Sequence, residues 1–197
     1  MCNAGSRVLV EKTIADELVE RIVEAAEPWN PVHPFRPEAK MGAIVDETQL
    51  ERVLGYIAAG REEAKLVAGG SRALEETGGL YVEPTIFTDE THRSKVAREE
   101  IFGPVLTVVP IEDVERGVHL ANDTTYGLAA AIWTRDIGRA FRVAKALRAG
   151  NVYVNTYDRG DISLPFATFK QSGIGIDKSI HAMDKYVRVK TTWVNLD

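Results

Sequence analysis

Short, uniformly apolar runs alternate along this chain with helical stretches, and that rhythm limits the fold more than any other feature. Residues 128–133 (LAAAIW) are apolar on every position, the pattern of a strand whose two faces are both covered by helices. A half-exposed strand would alternate instead. A short strand at 7–10 (RVLV) leads into a helical segment in which Ile14, Leu18 and Ile22 recur every four positions. Pro31, Pro34 and Pro37 then interrupt regular structure. A second helix is read over 48–63, with Leu50, Val53, Leu54 and Ile57 on one face, followed by a strand at 66–68 and a turn at Gly69-Gly70. Further on come a turn at Gly78-Gly79, strands at 81–87 (broken by Glu83-Pro84) and 105–110, a helix over 113–121, the strand 128–133, a helix over 136–147 and a strand at 152–155. The expected class is α/β, with a mostly parallel sheet and helices on both faces. A catalytic domain over 1–180 and a terminal strand segment over 181–197 are expected.

The end of the chain breaks the rhythm. In 186–195 (YVRVKTTWVN), Val187, Val189 and Trp193 alternate with Arg188, Lys190 and Thr192, which predicts one half-buried antiparallel strand. Two placements stand: an edge strand of its own sheet, or a strand added to the sheet of a partner.

Composition closes several routes. A net charge of −5 and a pI near 5.5, without any basic stripe, give no electrostatic basis for nucleic-acid binding. No apolar run approaches the roughly 20 residues of a membrane span, and the N-terminus lacks the pattern of a secretory signal, so a cytoplasmic protein without a membrane partner is expected. One cysteine cannot form an intrachain disulfide. His33, His92, His119 and His181 lack metal-ligand spacing and are read as surface or packing residues, so no metal site is expected.

Few motifs are specific by themselves. The glycine-rich stretch 172–179 (SGIGIDKS) suits a tight turn better than a phosphate cradle. Cys2, taken alone, is an inert thiol. Glu99 and Glu100 abut Phe102-Gly103-Pro104, where Gly permits unusual dihedrals and Pro fixes φ, so a rigid turn would aim the carboxylates and the Phe102 ring.

Taken in order, several strings resemble the aldehyde dehydrogenase superfamily across nearly the whole chain. CNAGSR (2–7) resembles the segment in which its catalytic cysteine is followed by a small residue, Gly and often Ser-Arg, EEIFGPV (99–105) is among its most specific strings, and LANDTTYGLAAAIWTRD (120–136) resembles its LAN-x-YGL block. GNVYVNTY (150–157) resembles its VN strand and PFATFKQSGIG (165–175) its PFGG-K-SG loop. YDRGDISLPF (157–166) is similar to the substrate loop of members acting on aminoaldehydes, such as γ-glutamyl-γ-aminobutyraldehyde dehydrogenases.

The resemblance implies NAD(P)-dependent oxidation of a small-molecule aldehyde to a carboxylic acid, with Cys2 as nucleophile forming a thiohemiacetal and then a thioester. It implies that Glu100 binds the nicotinamide ribose of NAD or NADP and that Phe102 packs beside the nicotinamide ring. Asn155, Tyr157 and Phe166 would lie at the aldehyde pocket. Asp158 and Asp161 would attract a cationic amino group or, in the plainer reading, form a solvated acidic loop. A homo-oligomer, dimer or tetramer, is implied.

Two departures qualify this. Ala167-Thr168 replaces the family's glycine pair, which alters the shape of the pocket. The family's dinucleotide-binding domain, general-base glutamate and oxyanion-hole asparagine precede its cysteine, whereas here only Met1 does. The expectation is therefore a truncated form, inactive by itself, since losing one oxyanion donor alone costs roughly 10²–10³ in rate. Two rival readings follow: a non-enzymatic module that joins full-length subunits, and an esterase-like remnant that uses Cys2 without cofactor.

Overall fold

A computed structural model describes residues 1–197, which divide into two compact units, Met1–Asp123 and Thr124–Asp197. In the first, β1 (Arg7–Glu11) runs directly into α1 (Lys12–Ala26). Leu18 and Ile22 pack on Val10, Ala15 and Val108, but Ile14 is exposed. The buried stripe is Ala15, Leu18, Val19 and Ile22, because a helix of 3.6 residues per turn presents i, i+3, i+4 and i+7 rather than every fourth residue. Pro28 accompanies the change to a single 3₁₀ turn, Glu27–Trp29.

The helix α2 (Glu47–Glu63) starts where the Asp46 carboxylate accepts from the Gln49 N–H at 2.8 Å. It buries Leu50, Val53, Ile57 and Gly60, and Gly60 is required because a Cβ there would sit 2.7 Å from the Phe87 ring. The chain continues through β2 (Lys65–Ala68), β3 (Arg72–Ala73), β4 (Tyr81–Val82), β5 (Thr85–Thr88), α3 (Lys95–Arg98), β6 (Val105–Ile111) and α4 (Val114–Asn122). The main sheet has the order β1-β6-β5-β2. Its β1–β6 and β6–β5 ladders are parallel, while β2 joins antiparallel with an irregularity between Leu66 and Ala68. Phe87 and Val108 of the sheet, and Val53 of α2, which packs with Phe87, are fully buried.

The second unit contains β7 (Tyr126–Gly127), β8 (Ala129–Ile132), α5 (Ile137–Ala146), β9 (Asn151–Val154), β10 (Phe166–Ala167), β11 (Phe169–Lys170) and β12 (Ile176–Asp177). Asp136 caps α5 by accepting from the Arg139 N–H at 3.0 Å, and α5 links the parallel pair β8–β9. The pairs β10–β12 and β11–β7 are antiparallel, so the α/β class holds with mixed rather than uniform strand direction.

A short 3₁₀ segment, Ile180–Lys185, follows β12, and residues 187–197 enter no ladder. The strand expected over 186–195 is thus not formed within this chain. Its alternating side chains are present, but a strand exists only where a second edge supplies hydrogen bonds. Val189 and Trp193 are left 98% and 90% exposed, which no half-buried edge strand would show.

Candidate active site

Cys2 is exposed and occupies a tight turn in which the Ala4 N–H donates to the Met1 carbonyl at 3.2 Å. The turn is tied to the sheet a few residues later, where the Thr107 N–H donates to the Ser6 carbonyl at 3.0 Å. The only thiol of the chain is therefore accessible and displayed just ahead of β1.

The Glu100/Phe102 turn lies between α3 and β6, and one face of α2 grips it. Gln49 Nε2 donates to the carbonyls of Ile101 at 2.9 Å and Phe102 at 3.1 Å. Arg52 Nη2 donates to the Glu100 carbonyl at 2.6 Å, and Tyr56 Oη donates to the Glu99 carboxylate at 2.8 Å. Burial, followed by the bond to Glu99, raises the Tyr56 pKa, so its hydroxyl stays a donor. Gly103 fits the same helix because a Cβ would meet Val53 at 2.6 Å. Phe102 takes φ +58°, which turns its ring outward, 54% exposed, while the Glu100 side chain also faces solvent.

In the second unit, Tyr157 joins an aromatic group. Its ring stacks on Trp133 at 6.4 Å with an interplanar angle of 6°, and meets Tyr153 at 5.4 Å with a tilt of 43°. Burial raises the Tyr157 pKa, aided by Tyr153 and Asp158. Asn155 takes φ +53°, and its amide pairs with the Thr134 backbone in both senses, accepting from N–H at 2.8 Å and donating to the carbonyl at 2.9 Å. That amide is thereby committed to the frame. An open hollow of about 470 Å³ lies on this side of the unit, and of the expected pocket residues it includes Asn155 alone.

The loop from 158 to 165 is held by short-range turns. Asp158 takes φ +52°, and Asp161 accepts from the Ser163 N–H at 2.8 Å and hydroxyl at 2.6 Å, bonds that lower its pKa and keep it ionised. Phe166 is half-buried in β10 with Lys178 Nζ over its ring at 5.5 Å. The altered pair Ala167-Thr168 is accommodated from the other side, because Gly150 lets the Ala167 carbonyl approach to where a Cβ would lie 2.0 Å away.

Sequence reasoning missed two groups. The first is the helix face Gln49, Arg52 and Tyr56, which reads as solvated polar positions because its partners lie about 50 residues downstream; only the i, i+3, i+7 spacing signalled it. The second surrounds Asp89, which accepts from the N–H and hydroxyl of both Thr91 and Ser94 and from the His92 N–H. Burial opposes ionisation of Asp89, but the bonds from Ser94 and Thr91 outweigh it and hold the pKa at about 2. His92 is buried at 2% exposure, and its Nε2 faces Arg7 Nη1. Burial, then the charges of Arg7 and Arg98, lower its pKa to about 4, so it is a neutral acceptor. These groups are structural, and the sequence reading of His92 as a packing residue matches its burial. No set of His, Cys, Asp and Glu is grouped to hold a metal, and no helix is long and apolar enough to cross a membrane.

Comparison with known proteins places this geometry in context. The NADP/NAD-dependent aldehyde dehydrogenase PuuC of Escherichia coli (strain K12) is 43% identical over the whole chain, which covers 39% of that protein. An indole-3-acetaldehyde dehydrogenase solved with NAD⁺ superposes with a TM-score of 0.95 at 52% identity, over 100% of this chain and 40% of that one. The γ-glutamyl-γ-aminobutyraldehyde dehydrogenase of Burkholderia cenocepacia J2315 gives a TM-score of 0.91 at 56% identity, over 94% and 38% of the two chains. The chain thus spans about 40% of the length of these relatives. The family profile described as the aldehyde dehydrogenase family matches residues 1–192, nearly the full sequence, and the chain belongs to that family.

Proposed function

We propose that this chain carries the nucleophile, part of the cofactor surface and part of the substrate surface of an enzyme that oxidises an aldehyde to a carboxylic acid with NAD or NADP. The observation that carries the reading is the exposed Cys2 at the turn before β1, in a chain that matches the family from residue 1 to 192. The Cys2 thiolate adds through Sγ to the carbonyl carbon, and the carbonyl oxygen takes up a proton to give a thiohemiacetal. Loss of the C–H hydrogen with its electron pair and of the hydroxyl proton leaves a thioester. Water then adds, the C–S bond breaks, and the carboxylic acid and the thiol are released.

The nicotinamide, when bound, accepts the electron pair with that hydrogen. The residues present fit such a group: a carboxylate at Glu100 suited to ribose hydroxyls and an outward ring at Phe102 share one rigid turn. On the substrate side, the Trp133–Tyr157–Tyr153 rings offer an apolar wall, and Asp158 and Asp161 offer negative charge. An aldehyde with a distant amino group suits that combination, in keeping with the γ-glutamyl-γ-aminobutyraldehyde named for the Burkholderia relative.

The enzyme carrying this chain should form NAD(P)H only when an aldehyde is added. Cys2→Ala should lower kcat by about 10³-fold or more, and Cys2→Ser should also stop hydrolysis of a nitrophenyl ester. Turnover by the Ala variant at the parent rate would refute the assignment of Cys2. A homo-oligomer is proposed as well, with the alternating residues 186–195 pairing at a sheet edge of another subunit, supported by their alternation and exposure. Removing them should lower the mass measured by light scattering; an unchanged mass overturns this.

A further inference from the structure

We infer that Arg7 is a positioning residue for the Cys2 turn: its guanidinium, held between His92 and the last turn of α4, fixes the start of β1 and with it the place where the thiol emerges. The inference deepens the functional reading above and rests on its assignment of Cys2. Arg7 opens β1 and stands five positions after the thiol. Between them Ala4, Gly5 and Ser6 are exposed and Asn3 alone is buried, so the segment has little core of its own. Its course is set at its far end, where the Ser6 carbonyl accepts from the Thr107 N–H at 3.0 Å and Arg7 lies in register with the fully buried Thr107. The Arg7 side chain adds a second fixture at the same point. Its Nη1 donates to His92 Nε2 and its Nη2 to the Ala121 carbonyl at 3.3 Å, so one planar fork joins β1 to two other parts of the unit.

Both acceptors are themselves held. His92 takes φ +56°, a left-handed conformation that persists because Asp89 accepts from its N–H at 3.0 Å and from the N–H and hydroxyl of both Thr91 and Ser94. The Asp89 N–H in turn donates to the Val108 carbonyl at 2.9 Å, which ties this loop to β6, the strand that β1 pairs with. Just past Ala121, Asp123 accepts from Arg98 Nη1 at 2.9 Å and ties the end of α4 to α3. The charged groups around the His92 ring are Arg7, Arg98, Asp123 and Asp89. Burial, then the two arginines, keep the ring neutral at physiological pH, so Nε2 retains the lone pair that Arg7 requires. A turn based on this fixture presents Sγ at one place, and a shift of about 1 Å at a reacting atom can cost about 10²-fold in rate.

The test compares Arg7→Met, which keeps an apolar stem and removes the fork, with Arg7→Lys and with His92→Asn, which suits the left-handed φ and removes the Nε2 acceptor. Amide hydrogen exchange of the purified protein is followed over residues 3–8, beside its melting temperature. In the active enzyme that carries the chain, kcat, KM for NAD(P) and the rate of Cys2 alkylation by iodoacetamide are measured well below the lowest melting temperature. Arg7→Met and His92→Asn should each quicken exchange over 3–8 and lower kcat about tenfold or more. The double variant should be no slower than Arg7→Met, because the two changes break one contact. KM for NAD(P) and alkylation should stay within about twofold, since the thiol is exposed in either case. Arg7→Lys should recover part of kcat, because an ammonium still donates to His92 but lacks the fork. Unchanged exchange over 3–8 in Arg7→Met, or a parental kcat despite faster exchange, overturns the inference. Alkylation that falls with kcat also overturns it, because Arg7 would then act on the chemistry of the thiol and not on its place. So does exchange quickened throughout β1 and β6, which marks a general loss of the fold. A parent that forms no NAD(P)H with aldehyde defeats the functional reading itself, and exchange over 3–8 then still decides whether Arg7 holds the turn.

Discussion

The two units of this chain keep their candidate site residues in place by different means. In Met1–Asp123, the Glu100/Phe102 turn is mounted on a helix whose other face fills a core around Val53, Val82 and Phe87, all fully buried. In Thr124–Asp197, the stretch from Asn155 to Phe166 relies on local devices: an Asn side chain mimicking a strand, an Asp–Ser turn and three neighbouring rings. Its large apolar side chains are often uncovered, with Trp133 at 63%, Ile137 at 68% and Phe141 at 71% exposure. A turn built on a packed core is rigid, whereas a loop held by short-range bonds can differ in sequence without disturbing the fold.

The largest expected effect breaks the first unit and spares the second. Phe87→Ala removes a ring with no exposure from between β5 and α2, and should cost about 3–5 kcal/mol. Phe141→Ala, on the outer face of α5, should stay within about 0.5 kcal/mol. Urea unfolding followed by circular dichroism measures both. Equal losses would contradict the contrast between the units.

Acid should act on the first unit next. His92 titrates near 4 in the fold and at its ordinary 6.5 when unfolded, so the unfolded chain binds the extra proton between these values. Stability is therefore retained above pH 6.5 and falls by about 3 kcal/mol as pH drops to 4. Asp89 follows in the same sense between its ordinary 3.8 and about 2, because its native carboxylate must be protonated while it still accepts from Ser94 and Thr91. His92→Asn, which suits the φ of +56° there, should lower stability at pH 7 yet flatten the slope between 6.5 and 4. An unchanged slope would show that another group governs it.

How much of this was legible depended on the distance over which a residue acts. The strand at 7–10 extends to Glu11, the helix read over 48–63 begins at Glu47, and Asp113 and Asp136 cap the helices read over 113–121 and 136–147, because apolar periodicity and capping are local. The turn at 99–105 was legible as rigid from Gly103 and Pro104. What held it was not, since Gln49, Arg52 and Tyr56 read as solvent-facing polar residues until the fold brings the turn to them. The same limit hid the Asp89 cage and the Arg7–His92 contact. Residues 187–197 show the converse case: the alternation is plain, but no edge within the chain pairs with it.

The smallest effect sharpens the account of the second unit. Asn155→Ala removes both bonds to the Thr134 backbone and places a Cβ residue without a polar side chain at φ +53°, so about 1–2 kcal/mol should be lost. Asn155→Gly loses the same bonds but tolerates that φ, and the difference between the two variants, about 0.4–1 kcal/mol, isolates the backbone contribution. If Asn155 frames the substrate wall, both variants should loosen the connection from β9 to Tyr157 and raise KM for the aldehyde several-fold, with KM for NAD(P) unchanged. That separation is expected because the amide bonds within the second unit, to the backbone of Thr134 just beyond β8. A parallel rise in both constants would mean that the cofactor and substrate surfaces are coupled through the frame, and that the local devices of the second unit reach further than their short hydrogen bonds suggest.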